Sequence, residues 1–266
     1  MLHYQPVPQD SWAALTDPFV EGAYASVKGQ VRTYVLHSQL VCHLPEPPAN
    51  VLDVGGGAAH QSLPLARLGY NVTVLDPSPA MLVKAKQRLS AEPAEVRERV
   101  RLIEAAGEQA EEATGGQRFA AVLCHGVLMY LERPEPLIRS LCRCVQDGGL
   151  VSVMALNART LAVRPALERR WADALAAFPA TGEVGVLGTD TRGDTVEGLS
   201  ALLEEGKVDP EAWYGVWLFT DWLDLPLDGT DVAAVAAVEL QASVQDPYRQ
   251  LSRVFHLLGR ARHSPA

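Results

Sequence analysis

The run Val51-Leu52-Asp53-Val54-Gly55-Gly56-Gly57-Ala58-Ala59-His60 constrains this chain more than any other stretch. Residues of strand character lead into three glycines, and a helical pattern (Ser62, Leu63, Leu65, Ala66, Leu68) follows at once. Glycines at such a junction let the backbone turn sharply and bring bare main chain against a ligand. A second strand-like run, Asn71-Val72-Thr73-Val74-Leu75, ends on Asp76, about 20 residues beyond the glycines. At that distance a carboxylate in a βαβ unit meets a pair of ribose hydroxyls. The pattern points to a cofactor containing adenosine. A tight turn with no ligand is the plainer reading, and Asp76 weighs against it.

Two cofactor classes can be compared directly. A dinucleotide fingerprint places a third small residue where the helix and strand approach closely. Here that position is His60. An acid-x-Gly-x-Gly-x-small pattern is met instead by Asp53, Gly55, Gly57 and Ala59. It resembles motif I of class I S-adenosylmethionine-dependent methyltransferases. A nicotinamide oxidoreductase and an inactive binding module remain the competing classes.

The hydrophobic fraction of 48% and charged fraction of 21% suit a globular enzyme, and 266 residues suffice for a sizeable core. No stretch approaches the roughly 18 apolar residues of a membrane span. The start, Met1-Leu2-His3-Tyr4-Gln5-Pro6, lacks the pattern of a signal peptide, so a cytoplasmic protein is expected. Cys42, Cys124, Cys142 and Cys144 read as reduced core thiols rather than as a disulfide or zinc framework. A net charge of −9 argues against a broad nucleic-acid surface. Two arginine-rich segments, Arg159 to Arg170 and Arg249 to Arg262, read as solvated helix faces.

Periodicity organises the rest. A helix is predicted through Tyr24, Val27, Val31, Val35, Leu36, Leu40 and Val41, ending before Pro45, Pro47 and Pro48. Ser78-Pro79 is a helix start. Strands are predicted at 100–104, 119–124 and 150–155, with a helix from Pro136 to Val145. Beyond Arg159 the pattern predicts a helix from Leu161 to Ala177, a glycine-rich loop and a helix from Asp194 to Glu205. A sixth strand is predicted over Trp213–Phe219, a helix from Val232 to Val244 and a last strand over Arg253–Arg260. Alternating strands and helices predict an α/β, doubly wound, mostly parallel Rossmann-like sheet. Seven strands are expected within a single domain, residues 1–266. Its parts are a helical lid (1–48), a cofactor core (49–158), an insertion capping the acceptor (159–211) and late strands with a helix (212–266).

The resemblance extends beyond the glycines. The stretch Tyr24 to Arg32, with Lys28-Gly29-Gln30-Val31-Arg32, is similar to a segment of bacterial methyltransferases that esterify the carboxymethoxy group of wobble uridine in tRNA. The similarity continues at Asp76 to Met81, Ala105-Ala106, His125 to Leu128, Asn157-Ala158, Arg192-Gly193-Asp194, Phe219 to Leu223, Glu239-Leu240 and Asp246 to Arg249. The class I fold places the last strand antiparallel between the fifth and sixth.

The resemblance implies S-adenosyl-L-methionine as cofactor and a set of site residues. Arg32 would pair with the methionine carboxylate through its planar fork. Asp53, Gly55, Gly56, Gly57, Pro77 and Met81 would surround the cofactor, Asp76 would take the ribose, and Ala106 and Gly107 would contact adenine. His125 would face the cofactor and serve as base if the acceptor is an alcohol. Tyr24, Arg192, Trp217 and Arg249 are expected at the acceptor, and no metal is expected. The segment 180–186 carries no positive charge where the tRNA enzymes have a lysine-rich loop. Together with the net acidity this favours a small hydroxyl or carboxylate acceptor, with tRNA as the alternative.

Overall fold

The computed structural model describes residues 13–185 and 188–263, so Met1–Pro6 and Val186 of the readings above lie outside the described residues. Seven strands form one sheet: β1 (Asn50–Val54), β2 (Asn71–Asp76), β3 (Val100–Glu104), β4 (Phe119–His125), β5 (Val145–Leu156), β8 (Val208–Val216) and β9 (Val254–Ala261). Between β5 and β8 the hairpin β6 (Gly182–Val184) and β7 (Asp190–Arg192) forms a separate two-stranded sheet. The large sheet runs in the order β3-β2-β1-β4-β5-β9-β8, parallel through β5, with β9 antiparallel to both β5 and β8.

The apolar strands are explained by burial on both faces. On one side Leu52, Val54, Val122, Cys124, Val151 and Val153 pack against Leu137, Ile138, Leu141, Leu199 and Leu203 of the helices Glu135–Cys144 and Val196–Glu205. On the other side Val51, Val72, Val74, Ala121 and Leu123 meet Leu40, Leu63, Leu65 and Ala85. Local chemistry starts the helices. Ser26, Ser78, Thr195 and Asp231 each accept a backbone N–H at the N-termini of Val27–Val41, Pro79–Ser90, Val196–Glu205 and Val232–Ser243.

Several predicted elements shift. The sixth strand covers Val208–Val216 rather than Trp213–Phe219, and Phe219–Trp222 is a short helix. Pro210 is tolerated because β8 is the sheet edge and its register is irregular there. The predicted helix Leu161–Ala177 is two helices, Val163–Leu167 and Trp171–Ala177, broken where Arg169 takes φ +59°. β5 starts at Val145, earlier than expected, and the glycine-rich loop contains β6 and β7.

Candidate functional site

At the C-terminal end of β1 the glycine turn is built around Asp76. Its Oδ2 accepts from Gly57 N at 2.9 Å and its Oδ1 from Ser78 N at 2.9 Å, while Gly55 N donates to the Leu75 carbonyl at 2.7 Å. Gly55 and Gly57 have φ of +69° and +52°, a region that favours glycine. A Cβ at Gly57 would lie 3.8 Å from Met81 Sδ and 3.9 Å from Asp76 Oδ2, so these three residues face one another. Pro77 is exposed beside them.

Asp53 has a different place. It is buried, accepts from Ser62 Oγ at 2.5 Å, and crowds the α-carbon of Gly56, where a Cβ would come within 2.9 Å of its carboxylate. Burial pushes its carboxyl up to about 6 despite the Ser62 hydrogen bond. Asp53 therefore ties the turn to the next helix. Gly107, after β3, is required by packing: a Cβ there would strike Leu137 Cδ1 at 2.5 Å and Val54 at 2.8 Å. Ala106 beside it is half-buried.

Beyond the glycine turn a cavity of about 290 Å³ opens over the ends of β4 and β5. Tyr24, Arg32, His125, Gly126, Met154 and Trp217 contribute to its wall. Arg32 reaches it from the helix Val27–Val41 and is only 6% exposed. Its guanidinium donates to Tyr24 Oη at 2.8 Å and sits over the rings of Tyr24 and Trp217, at 5.0 and 5.9 Å. Among the described residues it forms no ion pair with a carboxylate. Tyr24 in turn stacks on His60 with ring centroids 3.8 Å apart, which brings the N-terminal segment against the residues that follow the glycine turn. Burial, with Arg88 and Arg32 nearby, holds the His60 imidazole neutral, its pKa near about 3.

His125 Nε2 lies 2.8 Å from Ser152 Oγ, and burial with the fields of His256 and Arg32 keeps the ring neutral. Three cations not assigned to the site from the sequence line the same cavity: Lys28, Arg164 and Arg253. Lys28 and Arg164 share one oxygen of the buried Asp221. Arg253 pairs with Glu183 of β6, while its Nη1 is buried without a hydrogen-bond partner among the described residues. Desolvation lowers the Lys28 ammonium and pulls Arg253 down to about 10. The two arginine-rich segments were expected to be solvated, yet each sends one arginine inward. Only the tertiary structure reveals this, because Arg159, Arg169 and Arg170 of the first segment and Arg262 of the second do face solvent.

Two expected acceptor contacts lie elsewhere. Arg192 is engaged by Asp194, at 2.6 and 2.9 Å, and by the carbonyls of Leu131 and Leu128, so it clamps β7 to the loop after β4. Arg249 is held by Asp246, at 2.8 and 3.0 Å, and lies 4.2 Å over the Trp213 ring. Neither lines the cavity. Tyr24 and Trp217 do.

Residues 52–151 match the family model for a methyltransferase domain. Over 254 residues, 94% of this chain and 95% of the relative, the sequence is 26% identical to the tRNA 5-carboxymethoxyuridine methyltransferase of Escherichia coli strain K12. A ubiquinone biosynthesis O-methyltransferase of Methylobacterium nodulans is 34% identical over 114 residues, 43% of each chain. Among solved structures, magnesium protoporphyrin IX methyltransferase from Synechocystis PCC 6803 superposes with a TM-score of 0.59 at 15% identity, covering 88% of this chain and 85% of that one. A methyltransferase from Streptomyces caelestis gives 0.59 at 16% identity, covering 95% and 97%. With the glycine turn, the Asp76 carboxylate and the inserted antiparallel strand, these matches make the chain a class I S-adenosylmethionine-dependent methyltransferase.

Proposed function

We propose that this enzyme transfers the methyl group to an oxygen of a small acidic acceptor, producing a methyl ester. The observation that carries this reading is the charge of the cavity. Besides Arg32, three cations (Lys28, Arg164 and Arg253) face two carboxylates, Glu183 on Arg253 and Asp221 shared by Lys28 and Arg164, so one positive charge is unmatched. A partly desolvated cation in excess is costly until an anion joins it.

The residues present fit the cofactor. Asp76 beside the open face of Gly57 suits a ribose diol, and Met81 offers apolar surface there. Arg32, buried and without a carboxylate of its own, suits the methionine carboxylate. Gly55, Gly56 and Gly57 leave the main chain bare, Pro77 and Ala106 border the same strand ends, and Asp53 and Gly107 hold the turns in place. When bound, S-adenosylmethionine supplies an electrophilic methyl on a sulfonium. The chain's part is to align the acceptor and exclude water. A carboxylate needs no base; Lys28, Arg164 and Arg253 would orient it, with Trp217 and Tyr24 closing the path.

Whole-length similarity to a tRNA-modifying relative favours a second reading, in which the acceptor carboxylate belongs to carboxymethoxyuridine in tRNA. The net charge of −9 and the segment 180–186, which carries no positive charge, favour the small molecule. The two readings separate on incubation with methyl-labelled cofactor and a cell extract divided into small-molecule and tRNA fractions. The expected result is label in the small-molecule fraction, released as methanol by mild alkali. Alkali-labile label in tRNA would replace the first reading with the second. Alkali-stable label would mean a hydroxyl acceptor and return His125 to the role of base.

A further inference from the structure

Four side chains from distant parts of the chain form a buried line behind the cavity. Gln39 Nε2 donates to the Gly215 carbonyl at 3.1 Å, and Gln39 Oε1 lies 2.9 Å from His256 Nδ1. Reversing the amide would set its oxygen against the Gly215 carbonyl, so the orientation is fixed. An amide oxygen only accepts, which places the His256 proton on Nδ1 and leaves Nε2 a lone pair. Ser152 Oγ, 2.7 Å away, donates to that lone pair. A hydroxyl has one proton, so the same oxygen accepts from His125 Nε2 at 2.8 Å. His125 Nδ1 is then a lone pair, buried and without a hydrogen-bond partner among the described residues, in a ring that lines the cavity.

Arg32 comes to the same wall. A Cβ on Gly126, the residue after His125, would lie 3.5 Å from Arg32 Nη2, the guanidinium's field is felt at His125, and both side chains line the cavity. An α-amino acid carries a carboxylate and an ammonium on one carbon, and requires a donor fork and an acceptor side by side.

We infer that Gln39, His256 and Ser152 are positioning residues that hold His125 as its Nε2–H tautomer, so that Nδ1 accepts a hydrogen bond from the α-ammonium of the bound cofactor. This rests on S-adenosylmethionine as the cofactor. Both rings are neutral by burial, which keeps each hydrogen bond of the line in its assigned direction.

Nitrogen-15 NMR of the ligand-free protein near neutral pH tests the tautomers without any substitution. His125 should appear as Nε2–H and His256 as Nδ1–H; a proton on His125 Nδ1 overturns the inference. Calorimetric titration then compares S-adenosylhomocysteine with an analogue lacking its amino group. The parent protein should prefer the amino form by about tenfold, the value of one charge-assisted hydrogen bond. Ser152→Ala should abolish that preference while binding the deaminated analogue as the parent does. Equal weakening toward both ligands would reduce the line to a packing role. Failure of the parent to bind S-adenosylhomocysteine at all would overturn the cofactor assignment itself, and this inference with it.

Discussion

Arg32 stands in the first long helix, before any strand, yet its guanidinium ends among Tyr24, Trp217 and Gly126. Its surroundings desolvate it and offer aromatic faces and a hydroxyl, but no described carboxylate. If it receives the carboxylate of the cofactor, Arg32→Ala removes a bidentate pair worth roughly 1.5–3 kcal/mol. The dissociation constant for S-adenosylhomocysteine should rise at least tenfold by calorimetry. Arg32→Lys should recover only part, because a point charge does not reproduce the fork. Parent-like affinity in Arg32→Ala would exclude the assignment. Arg32 and Asp76 could be found from the sequence because each sits in a short motif or at a strand end. Ser152, His256 and Gln39 could not: the last two are 217 positions apart, and the hydrogen bond between Ser152 and His256 exists only once β9 lies beside β5. Arg253 and Arg164 were hidden for a different reason, since charge in a sequence carries no direction.

At the scale of elements, the turn after β8 carries more consequence than its length implies. Trp217 takes φ +60°, an unfavourable region for a bulky side chain, and donates from Nε1 to the Lys28 carbonyl at 3.0 Å. Glu239, 2% exposed on the helix Val232–Ser243, steadies the turn. Its carboxylate accepts from Leu218 N at 3.0 Å, Thr220 N at 2.7 Å and Thr220 Oγ1 at 2.8 Å. Glu239→Ala leaves two buried N–H donors unpaired and should cost roughly 3 kcal/mol, read as a lower urea midpoint. Trp217 would also lose its fixed setting, so methyl transfer should fall further than the loss of folded protein explains. An unaltered midpoint would show that the turn holds its shape without Glu239. This element is also where sequence reading failed. The aromatic run Trp213–Phe219 has strand composition, but a strained residue and a buried carboxylate, 21 positions from Leu218 and 19 from Thr220, divide it into a strand end and a helical turn.

Across the whole molecule, the strand–helix alternation up to β5 was legible because the inner strands are apolar on both faces and the helices on one. The position of β9 was not legible from periodicity; it came from family resemblance, and the sheet bears it out. β9 pairs with β5 from Leu150 to Leu156 and with β8 from Val208 to Val216, so it is the seam that joins the edge strand to the parallel half of the sheet. A chain ending at Asp246 would leave β8 without its partner and β5 with an apolar edge exposed. Such a chain should lose its cooperative unfolding transition and sediment as aggregates; a monomer with a sharp transition would show that the halves fold without the seam.

The same seam bears on how the protein is made. A ribosome releases β1 to β5 early, and these can begin to associate while later residues are still being added. Arg253 immediately precedes the last strand and His256 lies in it, so every partly synthesised form lacks one wall of the cavity and the inner partner of Ser152. A nascent chain could acquire its glycine turn and Asp76 well before the cavity beyond them is complete. A product shortened by premature termination or by proteolysis near its end would thus keep the turn and lack that wall.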